Sequence, residues 1–143
     1  MIVDANVLLS ARNEADPRHQ AARGWIEAAL NGDERVGLPW QTLGAFLRIA
    51  TNPRAFPLPL SPEDATRQVE EWLDAPRAWL AGPTDRFCAI LTGVMRRHRV
   101  VGPLVPDAML VALAIDHGVS LVSTDADFAR FPEVRWIDPL AST

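Results

Sequence analysis

A chain of 143 residues with 48% hydrophobic content is long enough to bury a core, and is read as one domain over 1–143 rather than a tandem or disordered chain. Its net charge of −4 argues against a general nucleic-acid coat protein, which needs a strong basic field. Without lysine or tyrosine it has no Schiff base, Ser/Lys dyad or tyrosine nucleophile; its fourteen arginines suit bidentate contact with phosphate or carboxylate.

In chain order, Ile2-Val3 reads as a buried strand ending in Asp4, and Asn6 is placed to cap a first helix through Val7, Leu8 and Leu9. Asp16-Pro17 opens a second helix, in which Ala21, Ala22, Trp25, Ile26, Ala29 and Leu30 keep the 3.6-residue period until Asn31-Gly32-Asp33. Val36-Gly37-Leu38 is a short strand. Pro39 starts a helix carrying Trp40, Leu43, Phe46, Leu47 and Ile49 to a stop at Asn52-Pro53. An extended, proline-rich loop from Phe56 to Leu60 leads to Ser61-Pro62-Glu63-Asp64, a hydroxyl cap, first-turn proline and two acids that begin a helix to about Leu73.

Ala78-Trp79-Leu80 reads as a strand, Gly82-Pro83-Thr84 as a turn, and Asp85 to Arg97 as a helix. Asp107 to His117 is the next helix, stopped by Gly118. Ser120 to Ser123 is a strand and Val134 to Ile137 an edge strand. Such alternation predicts an α/β fold with a largely parallel sheet covered by helices on both faces.

The lone cysteine, Cys88, sits in the apolar pattern Phe87-Cys88-Ala89-Ile90-Leu91, which suggests a buried small hydrophobe; the absence of a cysteine partner fits a reducing cytoplasm. The longest apolar run, Met109 to Ile115, is too short to cross a bilayer, and Met1-Ile2-Val3-Asp4 is not a signal peptide.

Four aspartates carry the functional argument. Asp4 follows one buried strand, Asp125 and Asp127 follow another, and Asp107 opens a helix. Carboxylates at the carboxyl ends of neighbouring parallel strands converge in the crevice there, and a hard dication, Mg²⁺ or Mn²⁺, relieves their repulsion. Taken singly, Asp107, Asp125 and Asp127 also fit helix or turn caps. Asp116, two and a half turns beyond Asp107, falls outside the cluster.

Four segments resemble one family: Met1-Ile2-Val3-Asp4-Ala5-Asn6, the stretch from Trp40 to Phe56, Val105-Pro106-Asp107-Ala108, and Ser123-Thr124-Asp125-Ala126-Asp127-Phe128-Ala129-Arg130-Phe131. In order and spacing they are similar to the PIN-domain ribonuclease toxins called VapC. That resemblance implies a PIN-like three-layer α/β/α sandwich, Mg²⁺- or Mn²⁺-dependent hydrolysis of RNA phosphodiesters with water as nucleophile, a homodimer, and neutralisation by a VapB-type antitoxin. It implies Asp4 and Asp107 as metal ligands and Asp125 as the later catalytic acid, with Asp127 a possible additional one.

Where the family commonly carries a glutamate before Phe-Leu-Arg, this chain has Ala45; Gln41 and Arg48, one turn to either side, are placed to reach the crevice without supplying a carboxylate. A one-ion resting site is therefore expected. Two alternatives remain: a phosphatase or phosphotransferase using Asp4 as covalent nucleophile, and a non-catalytic RNA- or partner-binding module.

Arg12, Arg48, Arg54 and the run Arg96-Arg97-His98-Arg99 are candidate RNA contacts, with the antitoxin a second claimant, although exposed arginines often only pair with nearby acids. His19, His98 and His117 are scattered and take no catalytic role. Trp25, Trp40, Trp72 and Trp79 fall on apolar patterns that suggest core or dimer packing rather than base stacking.

Overall fold

The computed structural model describes residues 1–141, so the last two residues of the expected domain lie outside it. Its centre is a parallel sheet of β1 (Ile2–Val3), β2 (Val36–Gly37), β3 (Ala78–Trp79), β4 (Leu121–Val122) and β5 (Trp136–Ile137), ordered β3-β2-β1-β4-β5. Ile2 pairs with both Gly37 and Leu121, and Val3 with Val122, so the two termini of the chain supply adjacent strands.

Side chains alternate across a strand, and the two faces of the sheet sort accordingly. Val3 and Val122 enter a core built from α1 (Ala5–Arg12), α2 (His19–Leu30), α3 (Trp40–Ala50) and α4 (Pro62–Asp74). Ile2 and Leu121 enter a second core with α5 (Phe87–His98), α6 (Val105–His117), Phe128 and Phe131. The result is the expected three-layer α/β/α sandwich, and no helix among the described residues is long and apolar enough to cross a membrane.

Local chemistry moves several boundaries. Asp4, not Asn6, caps α1: its backbone is extended and its side chain accepts from the Ala5 amide. The helix predicted from Asp16-Pro17 begins at His19, because Asp16 instead accepts from Ser10 Oγ and the Arg18 amide, closing a turn. Ser61 caps α4 by accepting from the Asp64 amide at 3.1 Å, and Gly118 ends α6 at φ 65°, both as expected. α6 starts at Val105, after a one-turn 3₁₀ segment, Gly102–Leu104, so Asp107 lies inside the first turn and is not its cap.

One apolar assignment fails, and a second keeps only its dimer alternative. Cys88 is exposed: α5 turns Phe87, Ile90, Leu91, Val94 and Met95 to the core at helical spacing, which leaves Cys88 outside that stripe. Trp40 is 60% exposed, standing at the start of α3 ahead of the buried stripe Leu43, Phe46 and Ala50. Trp72 is buried, in edge contact with Phe46, and Trp25 and Trp79 pack partly against the cores.

Candidate active site

The site lies at the carboxyl ends of the two central strands. β1 delivers Asp4 and β4 delivers Ser123, whose side chain is fully buried. The Ser123 hydroxyl donates to Asp4 Oδ2 at 2.8 Å and accepts from Asn6 Nδ2 at 3.0 Å and from the Asp125 amide at 3.0 Å. One donor and two acceptors exhaust a hydroxyl. Asn6 completes the link by accepting from the Thr124 amide at 3.4 Å, and Trp136 Nε1 donates to the Ser123 carbonyl at 2.9 Å.

Both oxygens of Asp4 thus carry a hydrogen bond, Oδ1 from Ala5 N at 2.8 Å and Oδ2 from Ser123. Burial raises its pKa, the two bonds partly offset that, and the Asp125 charge adds to the rise. Asp125 caps the 3₁₀ turn Ala126–Arg130 by accepting from the Asp127 amide at 2.9 Å. Asp127 is exposed, 3.9 Å from Arg130 in a loose surface pair.

Asp107 differs from the others. Among the described residues its carboxylate has no hydrogen-bond or ion-pair partner, and it is half-buried. Burial, then the charges of Asp125, Asp4 and Asp127, push its pKa up to about 6, against a small opposing pull from Arg130. Asp125, Asp4 and Asp127 thus lie within electrostatic reach of Asp107, and Asp125 within reach of Asp4, although more than a hundred residues of chain separate Asp4 from the other three. Unrelieved negative charge of this kind suits a hard dication. Among the described residues no three acids, histidines or cysteines close into a ready-made metal group, so such an ion would keep much of its water, as Mg²⁺ does.

From α3 it is Gln41 that reaches the neighbourhood: its Nε2 donates to the Pro106 carbonyl at 2.7 Å, next to Asp107. Ala45 is half-buried and Arg48 points to solvent, exposed and without an ion pair among the described residues, as is Arg54. Arg12 is not free: Nη1 donates to Gln68 Oε1 at 2.8 Å, on the wall of a cavity of about 480 Å³ between α1, α2 and α4. Arg97 and His98 both pair with Glu133, which removes them as free phosphate contacts.

Asp116 is outside the cluster, as its spacing predicts. It is buried at the far end of α6, where it accepts from the amide and hydroxyl of Thr84 and pairs with Arg86. Sequence reasoning missed Ser123 and misassigned Asn6. A serine following Val122 has no local signature, because its partners come from the opposite end of the chain.

Residues 1–134 match the family described as PIN domain. Over 140 residues the chain is 47% identical to Ribonuclease VapC37 of Mycobacterium tuberculosis, covering 98% of this chain and 97% of that protein. Its fold is similar to that of VapBC2 from Rickettsia felis bound to a DNA fragment from their promoter, with a TM-score of 0.71 and 13% identity over 95% of this chain and 96% of that one. A toxin–antitoxin complex from Klebsiella pneumoniae is similar too, with a TM-score of 0.64 and 17% identity over 96% of each chain. At these identities the two solved structures bear on the fold alone.

Proposed function

The chain belongs to the PIN-domain family, and on that premise we propose that it is the toxin of a type II toxin–antitoxin pair, an endoribonuclease hydrolysing RNA phosphodiester bonds. The observation that carries the reading is the unpaired Asp107 carboxylate, raised to about pKa 6 by burial and by Asp125, Asp4 and Asp127 in one crevice. Asp4 and Asp107 would hold Mg²⁺, with Mn²⁺ as a substitute. Once bound, the ion supplies charge neutralisation, a lowered pKa for its water, and polarisation of the scissile phosphate.

The protein's own groups do the positioning. Ser123 and the Ala5 amide fix the direction of Asp4, and Asp125, stiffened by its cap to Asp127, is placed to orient the attacking water or accept its proton. Hydrogen bonds on both oxygens of Asp4 blunt it as a covalent nucleophile, which disfavours the phosphatase alternative. Exposed Arg48 and Arg54 are the phosphate contacts in this reading, and Arg12 faces an antitoxin of the VapB type. A second copy of the chain and a cytoplasmic site of action complete it; sedimentation tests the dimer.

The deciding experiment compares wild-type protein with Asp107→Asn on total cellular RNA in Mg²⁺, with the new ends mapped. Fragments present only with wild type support the reading. Equal fragments from both proteins would mean a contaminating nuclease and end it.

A further inference from the structure

Asp107 has no side-chain partner among the described residues, so the position of its carboxylate is inherited from the first turn of α6. That turn is poorly fastened by its own sequence. Leu104 at the N-cap makes no side-chain bond, and Pro106 has no amide hydrogen to donate. The preceding 3₁₀ turn begins at Gly102, in the left-handed region at φ 53°. Among the described residues, the side-chain hydrogen bond joining this turn to another element is the one from Gln41 Nε2 to the Pro106 carbonyl, 2.7 Å long and spanning 65 residues.

We propose that Gln41 is a positioning residue: its amide clamps the first turn of α6 to the first turn of α3 and so sets where Asp107 stands relative to Asp4 and Asp125. Its value for metal binding rests on the nuclease reading; the clamp itself does not. Groups that orient metal ligands typically change metal affinity by 10–100-fold when removed. A neutral amide suits this place in a second respect, because it can donate to a carbonyl that a carboxylate would repel.

The test uses the full chain with Gln41→Met, which keeps the side-chain length and removes the donor, and Gln41→Asn as a shorter donor. Hydrogen exchange at the amides of Ala108 and Met109 reads the clamp directly. Gln41→Met is expected to accelerate it several-fold, while the buried strand β1 stays protected. Mn²⁺ titration by calorimetry is expected to show roughly tenfold weaker binding in Gln41→Met, and RNA cleavage a fall in kcat with KM nearly unchanged. Gln41→Asn should recover part of each effect.

Unchanged exchange at Ala108 and Met109 in Gln41→Met overturns the clamp, whatever the metal data show. Faster exchange with unaltered Mn²⁺ affinity and kcat overturns its role in placing Asp107. Failure of wild type itself to bind Mn²⁺ and to cut RNA sinks the nuclease reading instead, and the exchange data still decide the clamp.

Discussion

Ser123 donates a 2.8 Å hydrogen bond to Asp4 across 119 residues of chain, joining the ends of the two central strands. Because the same hydroxyl also accepts from Asn6 and from the Asp125 amide, removing it strands three polar groups at once. Ser123→Ala is expected to destabilise the fold by about 2 kcal/mol, measured by urea unfolding, since a buried group left without its partner costs about 1–3 kcal/mol. It should also raise the Asp4 pKa further, because burial already lifts it and the Ser123 bond opposes that. A titration of Asp4 carboxyl shifts that is identical in both proteins would contradict this account.

Asp107 makes stability fall with rising pH over a defined window. The folded state holds its proton up to about pH 6, whereas the free group releases it at 3.8. Its contribution is complete below pH 3.8 and is lost as pH rises through 6, since over that range the folded state binds more protons than the unfolded one. Asp107→Asn should flatten that slope and stabilise the metal-free protein at pH 7 by about 1 kcal/mol. This is well below the full equivalent of the shift, because a half-exposed carboxylate is screened by water. Mn²⁺ should reverse the trend in wild type, stabilising more at pH 7 than at pH 5, because binding requires the ionised carboxylate.

The reasons some of this was readable in the sequence and some was not are physical. Strand-ending acids are visible because a charge at the end of a buried apolar run is costly unless something compensates it: Asp4 follows Val3 at once, and Asp125 stands three residues beyond Val122. Caps and stops that depend on neighbours only, Ser61-Pro62 and Gly118, were equally plain. Asn6 looked like a cap because asparagine is a good one; its amide is instead spent on Ser123, a choice settled by β1–β4 pairing. Gln41 and Ala45 share a helix face, and only the folded chain, which sets α3 and α6 on opposite faces of the sheet and joins them through the Gln41 bond, decides which one reaches Pro106. Cys88 was misjudged because five apolar residues in a row conceal which side of α5 faces inward.

Asp116 offers a control for the site, because it belongs to the same helix as Asp107 and lies nine residues, about 13 Å, along it. Burial pushes its pKa up, but the two bonds from Thr84, with His117 and Arg86 nearby, outweigh that and hold it below the usual value. Its stabilisation is therefore present above about pH 4 and is lost as pH falls through the lowered folded value. Asp116→Ala should cost about 2 kcal/mol, because it removes the acceptor of two hydrogen bonds from Thr84, and hydrogen bonds to a charged group are worth about 1.5–3 kcal/mol. Cleavage per folded molecule should be unchanged in thermally permissive conditions. A loss of activity without a loss of stability would place Asp116 in the chemistry after all.

Gly37 tests how closely the centre of the sheet is packed. A Cβ there would stand 2.6 Å from Ile2 Cδ1, 3.0 Å from the Met1 carbonyl and 3.2 Å from the Trp79 ring. Ile2 is itself fully buried and locked between β2 and β4, so its side chain has little room to yield. Overpacking of this kind costs about 1–3 kcal/mol, and Gly37→Ala is expected to lie in that range by thermal or urea unfolding. Because the strain falls on β1, it should also reach Asp4 one residue beyond the strand. Mn²⁺ binding in Gly37→Ala should weaken, whereas Gly24→Ala, where nothing stands within 4 Å of the added methyl on α2, should leave both stability and metal affinity intact or slightly improved. If the two substitutions behave alike, the close approach of β1 and β2 does not govern the placement of Asp4.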